Sequence, residues 1–207
     1  MRNRSLLVAA AVFSTVIAFA PPARADWVWV PRHPYNPYAR RHFYMGIEGV
    51  GAVVLAQSGP RAFLRDGGGF GLFLGGRLSR WFALEFTWQP TFHSSTQDDL
   101  LAIGQPADAR LLLNALTVDG KVFFAHGRVQ PFFMFGLGGY FLGDNVSIFG
   151  SGPGYQLGGG VDFWLDPHIS IGVKLLYRGI DLIDYDARND DTYISMFTAA
   201  VDFTGRF

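Results

Sequence analysis

His168 and Ser170 are the residues of this chain whose types and spacing come nearest to a nucleophile and its base. Side chains two apart in a strand share a face, so a hydroxyl and an imidazole can meet there, and an adjacent base is what activates a serine. No Glu follows to orient the imidazole. The competing reading is a histidine beside a turn and a serine on an inward face. The run Asp181-Leu-Ile-Asp184-Tyr-Asp186, continuing to Asp190-Asp191, offers the oxygens that Ca²⁺ takes. It lacks the regular loop and bidentate Glu of an EF-hand, and reads as a solvated acidic loop. Gly67-Gly68-Gly69-Phe70-Gly71 is followed by no helix and no GK[ST], which excludes a phosphate loop. Asn145-Val-Ser147 matches a glycosylation acceptor only at chance level. The chain has 0 Cys, so its fold relies on no disulfide. No catalytic set, metal or cofactor is expected.

The elements that would carry these residues alternate with a period of two. Counting back from Phe207, the residues Phe203, Val201, Ala199, Phe197 and Tyr193 interleave with Arg206, Thr204, Asp202, Ala200 and Thr198. One face is apolar and aromatic, the other small, polar or charged, which is the signature of a strand between two environments. The same alternation recurs over Phe43–Leu55, Phe70–Leu78, Phe82–Gln89, Leu116–Phe124, Val129–Phe141, Tyr155–Leu165 and Ile169–Arg178. Each segment is about as long as the roughly 9–11 residues of a tilted transmembrane strand. Tight turns are expected around Ser79-Arg80, His126-Gly127 and Asp166-Pro167. The connections Ser58–Gly67, Ser94–Ala109, Gly143–Gly154 and Gly179–Asp191 read as longer loops. Short turns at one end and long loops at the other are the pattern of an outer-membrane barrel with periplasmic turns. An even strand number then places both termini in the periplasm. Pro90 and Pro131 fall inside strands but near their ends, and Asn114 takes lipid-facing parity beyond the hydrocarbon.

The N-terminus reads as an export signal. Arg2 and Arg4 precede an apolar run from Leu6 to Ala20 and an Ala23-Arg24-Ala25 site, so residues 1–25 are expected to be a secretory signal peptide cleaved before Asp26. Residues 26–41, rich in Pro and aromatics, read as a periplasmic extension, and 42–207 as the barrel domain. Removing Arg2, Arg4 and Arg24 from 17 Lys+Arg leaves 14 against 17 Asp+Glu, a net of −3. That balance lacks the basic footprint of a nucleic-acid binder. The 26 Gly and 20 Phe, with 16% charged residues, suit a barrel rather than a helical protein.

The apolar face also carries two aromatic levels. Phe43, Phe82, Phe124, Phe133, Phe163 and Phe203 lie near the short turns, and Trp88, Phe141, Tyr155, Tyr177 and Tyr193 near the long loops. Two girdles fit the two membrane interfaces. They argue against a secreted lipocalin-like barrel, whose apolar face would turn inward. The fold expected is therefore all-β, an eight-stranded antiparallel up-and-down transmembrane β-barrel. On topology, periodicity and the terminal Phe207, the segment Phe43–Phe207 resembles the small OmpA-like and OmpX-like outer-membrane barrels. The resemblance implies that Phe207 is an assembly signal and that the barrel-assembly machinery, outer-membrane lipid and lipopolysaccharide are partners. An unidentified extracellular partner would be reached through the loops. No peptidoglycan-binding domain follows the barrel, so anchoring by that route is not implied.

Inward parity collects Glu48, Arg77, Glu85, Asp119, Lys121, Asp162, Lys174, Arg178 and Asp202. Buried charges are costly unless paired. Lys174 is expected between Asp162 and Asp202, and Lys121 and Arg77 near Glu85. A paired network would fill an interior that, with eight strands, is only wide enough for side chains. Three functions are thereby ordered: a structural or surface-interaction barrel, then a narrow porin-like channel, then a lipid A-modifying hydrolase. The last rests on the likeness of His168-x-Ser170 to lipid A deacylases, and both residues would sit at the periplasmic end, far from outer-leaflet lipid.

Overall fold

The structure is a computed structural model, described for residue 38 and for residues 42–59, 64–94, 111–143, 148–184 and 192–207. Eight strands follow in chain order: β1 His42–Ser58, β2 Gly67–Arg77, β3 Phe82–His93, β4 Leu111–Phe123, β5 Val129–Gly143, β6 Ile148–Trp164, β7 Ile169–Asp184 and β8 Thr192–Arg206. Each pairs antiparallel with its sequence neighbour, and β8 returns to β1, closing the barrel. Closure leaves no sheet edge, which a strand bundle in lipid requires. The signal peptide and most of the extension expected from the sequence lie outside the described residues. So do Asp186, Asp190 and Asp191 of the acidic run and the Asn145-Val-Ser147 pattern.

The alternation becomes an inside and an outside. Leu137 is 71% and Phe43 68% exposed, whereas Glu85 and Asp119 are 2% and 0% exposed. All eleven aromatic residues of the two expected girdles stand on the outward, exposed or half-buried face. Glycine decides how bulky residues fit inside. An added Cβ at Gly71 would lie 2.5 Å from Glu48 Oε1, at Gly136 1.8 Å from Asp119 Oδ1, and at Gly172 2.3 Å from Asp202 Oδ2. Each of these three inward carboxylates thus lies over a glycine of a neighbouring strand. Tyr44 covers Gly75 in the same way.

The short connections are local hydrogen-bonded turns. Ser79 Oγ accepts the N–H of Trp81 and of Phe82 at 3.2 and 3.1 Å. Asp166 Oδ1 accepts the N–H of His168 and of Ile169 at 2.6 and 2.9 Å. These are the Ser and Asp turn devices that their sequence positions suggest. Prolines show where a ladder lacks a donor. The β2–β3 register runs Gly69↔Thr91 and resumes at Leu72↔Trp88, skipping Pro90. The β6–β7 register runs Ser151↔Ile183 and resumes at Gly154↔Ile180, skipping Pro153.

The third long loop is much shorter than the sequence indicates. β5 continues to Gly143 and β6 begins at Ile148, so only residues 144–147 connect them. The Gly150–Gly154 stretch reads as loop because glycine and proline punctuate turns. In the barrel it pairs with β5 from Gly138↔Gly154 to Leu142↔Gly150. β7 likewise runs past Gly179 to Asp184.

Candidate functional site: the barrel interior

At the short-turn end the interior is charged. Lys121 comes from β4 and meets two carboxylates: Nζ lies 3.4 Å from Glu85 Oε1 on β3 and 2.9 Å from Asp162 Oδ2 on β6. The ammonium also stands 3.8 Å from the centroid of Phe132, a cation–π contact in a site closed to water. Tyr44 Oη donates to Glu85 Oε1 at 2.8 Å. Lys174 of β7 pairs with Glu48 Oε2 of β1 at 2.5 Å, and Gln89 donates to the other oxygen of Glu48. Asp119 is held by hydroxyls: Thr87 and Thr117 donate to Oδ2 at 3.1 and 2.8 Å, and Gln156 donates to Oδ1. Asp202 accepts from Thr204 Oγ1 at 3.1 Å. Apolar side chains wall the network, among them Phe73, Phe123, Met134 and Leu176.

Two pairings differ from the sequence expectation. Lys174 takes Glu48 as its ion-pair partner rather than Asp162 and Asp202. The strand order explains it: Asp162 lies opposite Gly172, two residues short of Lys174, while β1, on the far side of β8, carries Glu48 inward. Arg77 does not pair with Glu85. Its guanidinium donates to the carbonyls of Tyr38, Ser79 and Arg80 at 3.0, 3.3 and 2.6 Å and to Gln130 Oε1 at 2.7 Å. It sits at the last residue of β2, so it curls over its own turn instead of reaching the middle of the barrel.

The mouth at this end is closed by the chain itself. The carbonyl oxygen of Tyr38 accepts from Arg77 Nη1, Gln130 Nε2 and Arg206 Nη2 at 3.0, 3.2 and 3.2 Å, from β2, β5 and β8. The Arg206 guanidinium stacks 3.8 Å over Trp164. Tyr38 is a residue no sequence signal singled out, because its role rests on one backbone oxygen.

The long-loop half of the interior is built around an apolar cluster, which the inward parity of charges does not indicate. Leu111, Leu113 and Ala115 of β4, Tyr140 and Leu142 of β5, Ile180 and Leu182 of β7, and Ile194 and Met196 of β8 form one cluster with Ala52. Leu64, from the connection after β1, is inserted among them and is 1% exposed. Gln57 clamps it by donating to its carbonyl at 2.9 Å and accepting its N–H at 3.0 Å. His93 Nδ1 lies 2.7 Å from the carbonyl of Arg65, next in the chain. Arg178, the remaining inward charge, is buried where the two halves meet, opposite Gln156 and Met196. The signal for this cluster is in the sequence: Leu111-Leu112-Leu113 is apolar on the inward as well as the lipid-facing parity.

His168 and Ser170 are set in different surroundings. His168 lies in the β6–β7 turn with its side chain 76% exposed, 4.0 Å from Asp166, whereas Ser170 is buried in the interior. Among the described residues, no group of three His, Cys, Asp or Glu is arranged to hold a metal ion.

A closed antiparallel barrel with an apolar, aromatic-belted exterior and a charged interior is a transmembrane barrel protein. The chain belongs to the outer membrane protein beta-barrel domain family, whose model matches residues 7–204, and its place is the outer membrane. Among solved structures, it is similar to OprG of Pseudomonas aeruginosa, with a TM-score of 0.60 and 11% identity over 84% of this chain and 99% of that one. It is also similar to Neisserial surface protein A, with a TM-score of 0.54 and 13% identity over 77% and 95%. At such identities the likeness is one of fold. No curated protein matches the chain in sequence.

Proposed function

We propose that this protein is a sealed outer-membrane barrel with a structural or surface-interaction role, its short turns in the periplasm and its long loops at the cell surface. The observation that carries the reading is a double filling of the lumen. The Lys121 and Lys174 ion pairs occupy one half and the cluster around Leu113, Tyr140 and Met196 the other. Either layer alone obstructs an aqueous path, and together they obstruct it by two different mechanisms. A charged layer resists dehydration and an apolar layer resists wetting. A cavity among Tyr44, Arg77, Lys121 and Trp164 measures about 10 Å³, no more than a single water needs. The seat of Tyr38 on three strands supports the same reading.

Planar-bilayer recording of the refolded protein tests this. The expected record shows no steady single-channel current; large, stable unitary currents would overturn the sealed reading in favour of a narrow porin-like channel. The chemistry of the interior offers no support for a hydrolase, since the His168 imidazole and the Ser170 hydroxyl are not set as base and nucleophile.

A further inference from the structure

The outer face of the barrel is not uniform. Over most of its circumference Phe, Leu and Val project into lipid, but along β1 the outward positions Gly49 and Gly51 carry no side chain and are exposed. Gly51 is flanked by Gly68 of β2 and Ala199 of β8, so the bare strip is wider than one strand. Below it, Ile47 closes the strip, and Phe70, Leu72, Val201 and Phe203 stand along its two sides. Around Gly49 these side chains wall a groove of about 480 Å³ with a backbone floor, and the exposed Gly51 continues the bare strip beyond it. It begins at the level of Phe203, in the aromatic belt near the short turns, and reaches the middle of the 17-residue β1.

We infer that this groove holds one acyl chain of a phospholipid from the leaflet on the short-turn side. Hydrocarbon already surrounds the barrel, so transfer from water supplies no preference; contact with lipid is decided by packing. A chain lying over projecting, rotating side chains meets protein on one side only. In the groove it meets the floor and both walls, and its dispersion contacts rise accordingly. Glu48 and Asp202 point inward beneath the floor, so the groove presents no charge to the chain. A second barrel fits less well, because the rings of Phe70 and Phe203 meet a rigid convex surface before it reaches the floor.

The experiment uses the full barrel in phosphatidylethanolamine–phosphatidylglycerol vesicles containing a trace phospholipid with a mid-chain diazirine. After irradiation, adducts are mapped by mass spectrometry. Peptides containing Ile47–Gly51 and Val201–Phe203 are expected to carry several-fold more adduct than those containing Val118 and Leu137 on the opposite face. The double substitution Gly49→Leu, Gly51→Leu fills the groove and should bring the two faces level. Neither glycine has any atom within 4 Å of an added Cβ, so the variant should still show the heat-dependent gel shift of a folded barrel. If it does not fold, the wild-type comparison of the two faces stands alone. Equal labelling around the wild-type barrel, or enrichment that survives filling, overturns the inference. So does a disulfide dimer of a Gly49→Cys variant in vesicles, which would assign the groove to a second copy; the chain has 0 native Cys to confuse it.

Discussion

At the scale of the residue, Lys121 holds most of the interior together. It neutralises Glu85 of the adjacent β3 and Asp162 of β6, two strands away, and lies on Phe132. Removing one partner of a buried charge set leaves the others uncompensated, which costs about 3–5 kcal/mol. Lys121→Met is therefore expected to lose that much in urea unfolding from vesicles. A loss below about 1 kcal/mol would mean that water already reaches the two carboxylates. Glycine makes a paired test. Gly136→Ala drives a methyl into Asp119 Oδ1, 1.8 Å away, whereas Gly49→Ala meets nothing within 4 Å. Overpacking costs typically 1–3 kcal/mol, so the first should destabilise by that order and the second should be near neutral. Equal effects would show that strand propensity, not interior space, governs both positions. The inward charges were legible from parity, and so was the neighbouring-strand pair Lys121–Glu85. The pairs Lys121–Asp162 and Lys174–Glu48 were not, because they join strands two apart across a closed ring.

At the scale of the element, each strand divides lipid from lumen, and the two faces should respond differently to charge. Leu137, 71% exposed and near the middle of β5, faces hydrocarbon. An arginine at the bilayer midplane costs about 2–4 kcal/mol, so Leu137→Arg is expected to lose stability of that order in lipid vesicles. A neutral result would place this part of β5 outside the hydrocarbon. On the inward face at the long-loop end the cost is one of volume. Leu113→Ala leaves a cavity in the cluster with Tyr140 and Met196, and such truncations cost about 2–5 kcal/mol. If the barrel's urea midpoint were unchanged, that half of the lumen would be wet rather than packed. The start of β6 is not legible in the sequence because Gly150, Gly152, Pro153 and Gly154 carry turn chemistry. In the barrel they pair with β5, and the neighbouring β7 ladder skips Pro153. Closure requires every strand to find two partners, and this outweighs local preference.

At the scale of the whole molecule, the barrel is stapled at both ends by residues outside the regular strands. Tyr38 offers its carbonyl to Arg77, Gln130 and Arg206, and Leu64 is drawn into the apolar end by Gln57. The composition, the eightfold alternation and the positions of the short turns established by themselves that the chain is an all-β transmembrane barrel with a charged inner face. They could do so because period two and turn chemistry are local properties, written into each strand separately. The His-x-Ser spacing was legible too, but the turn at Asp166 exposes His168 while the strand buries Ser170, a difference that spacing alone does not encode. Only the tertiary structure decided that Lys174 meets Glu48, that Tyr38 closes the short-turn mouth, and that the lumen is charged at one end and apolar at the other. Those contacts join residues far apart in the chain, and their geometry exists only once β8 has closed on β1.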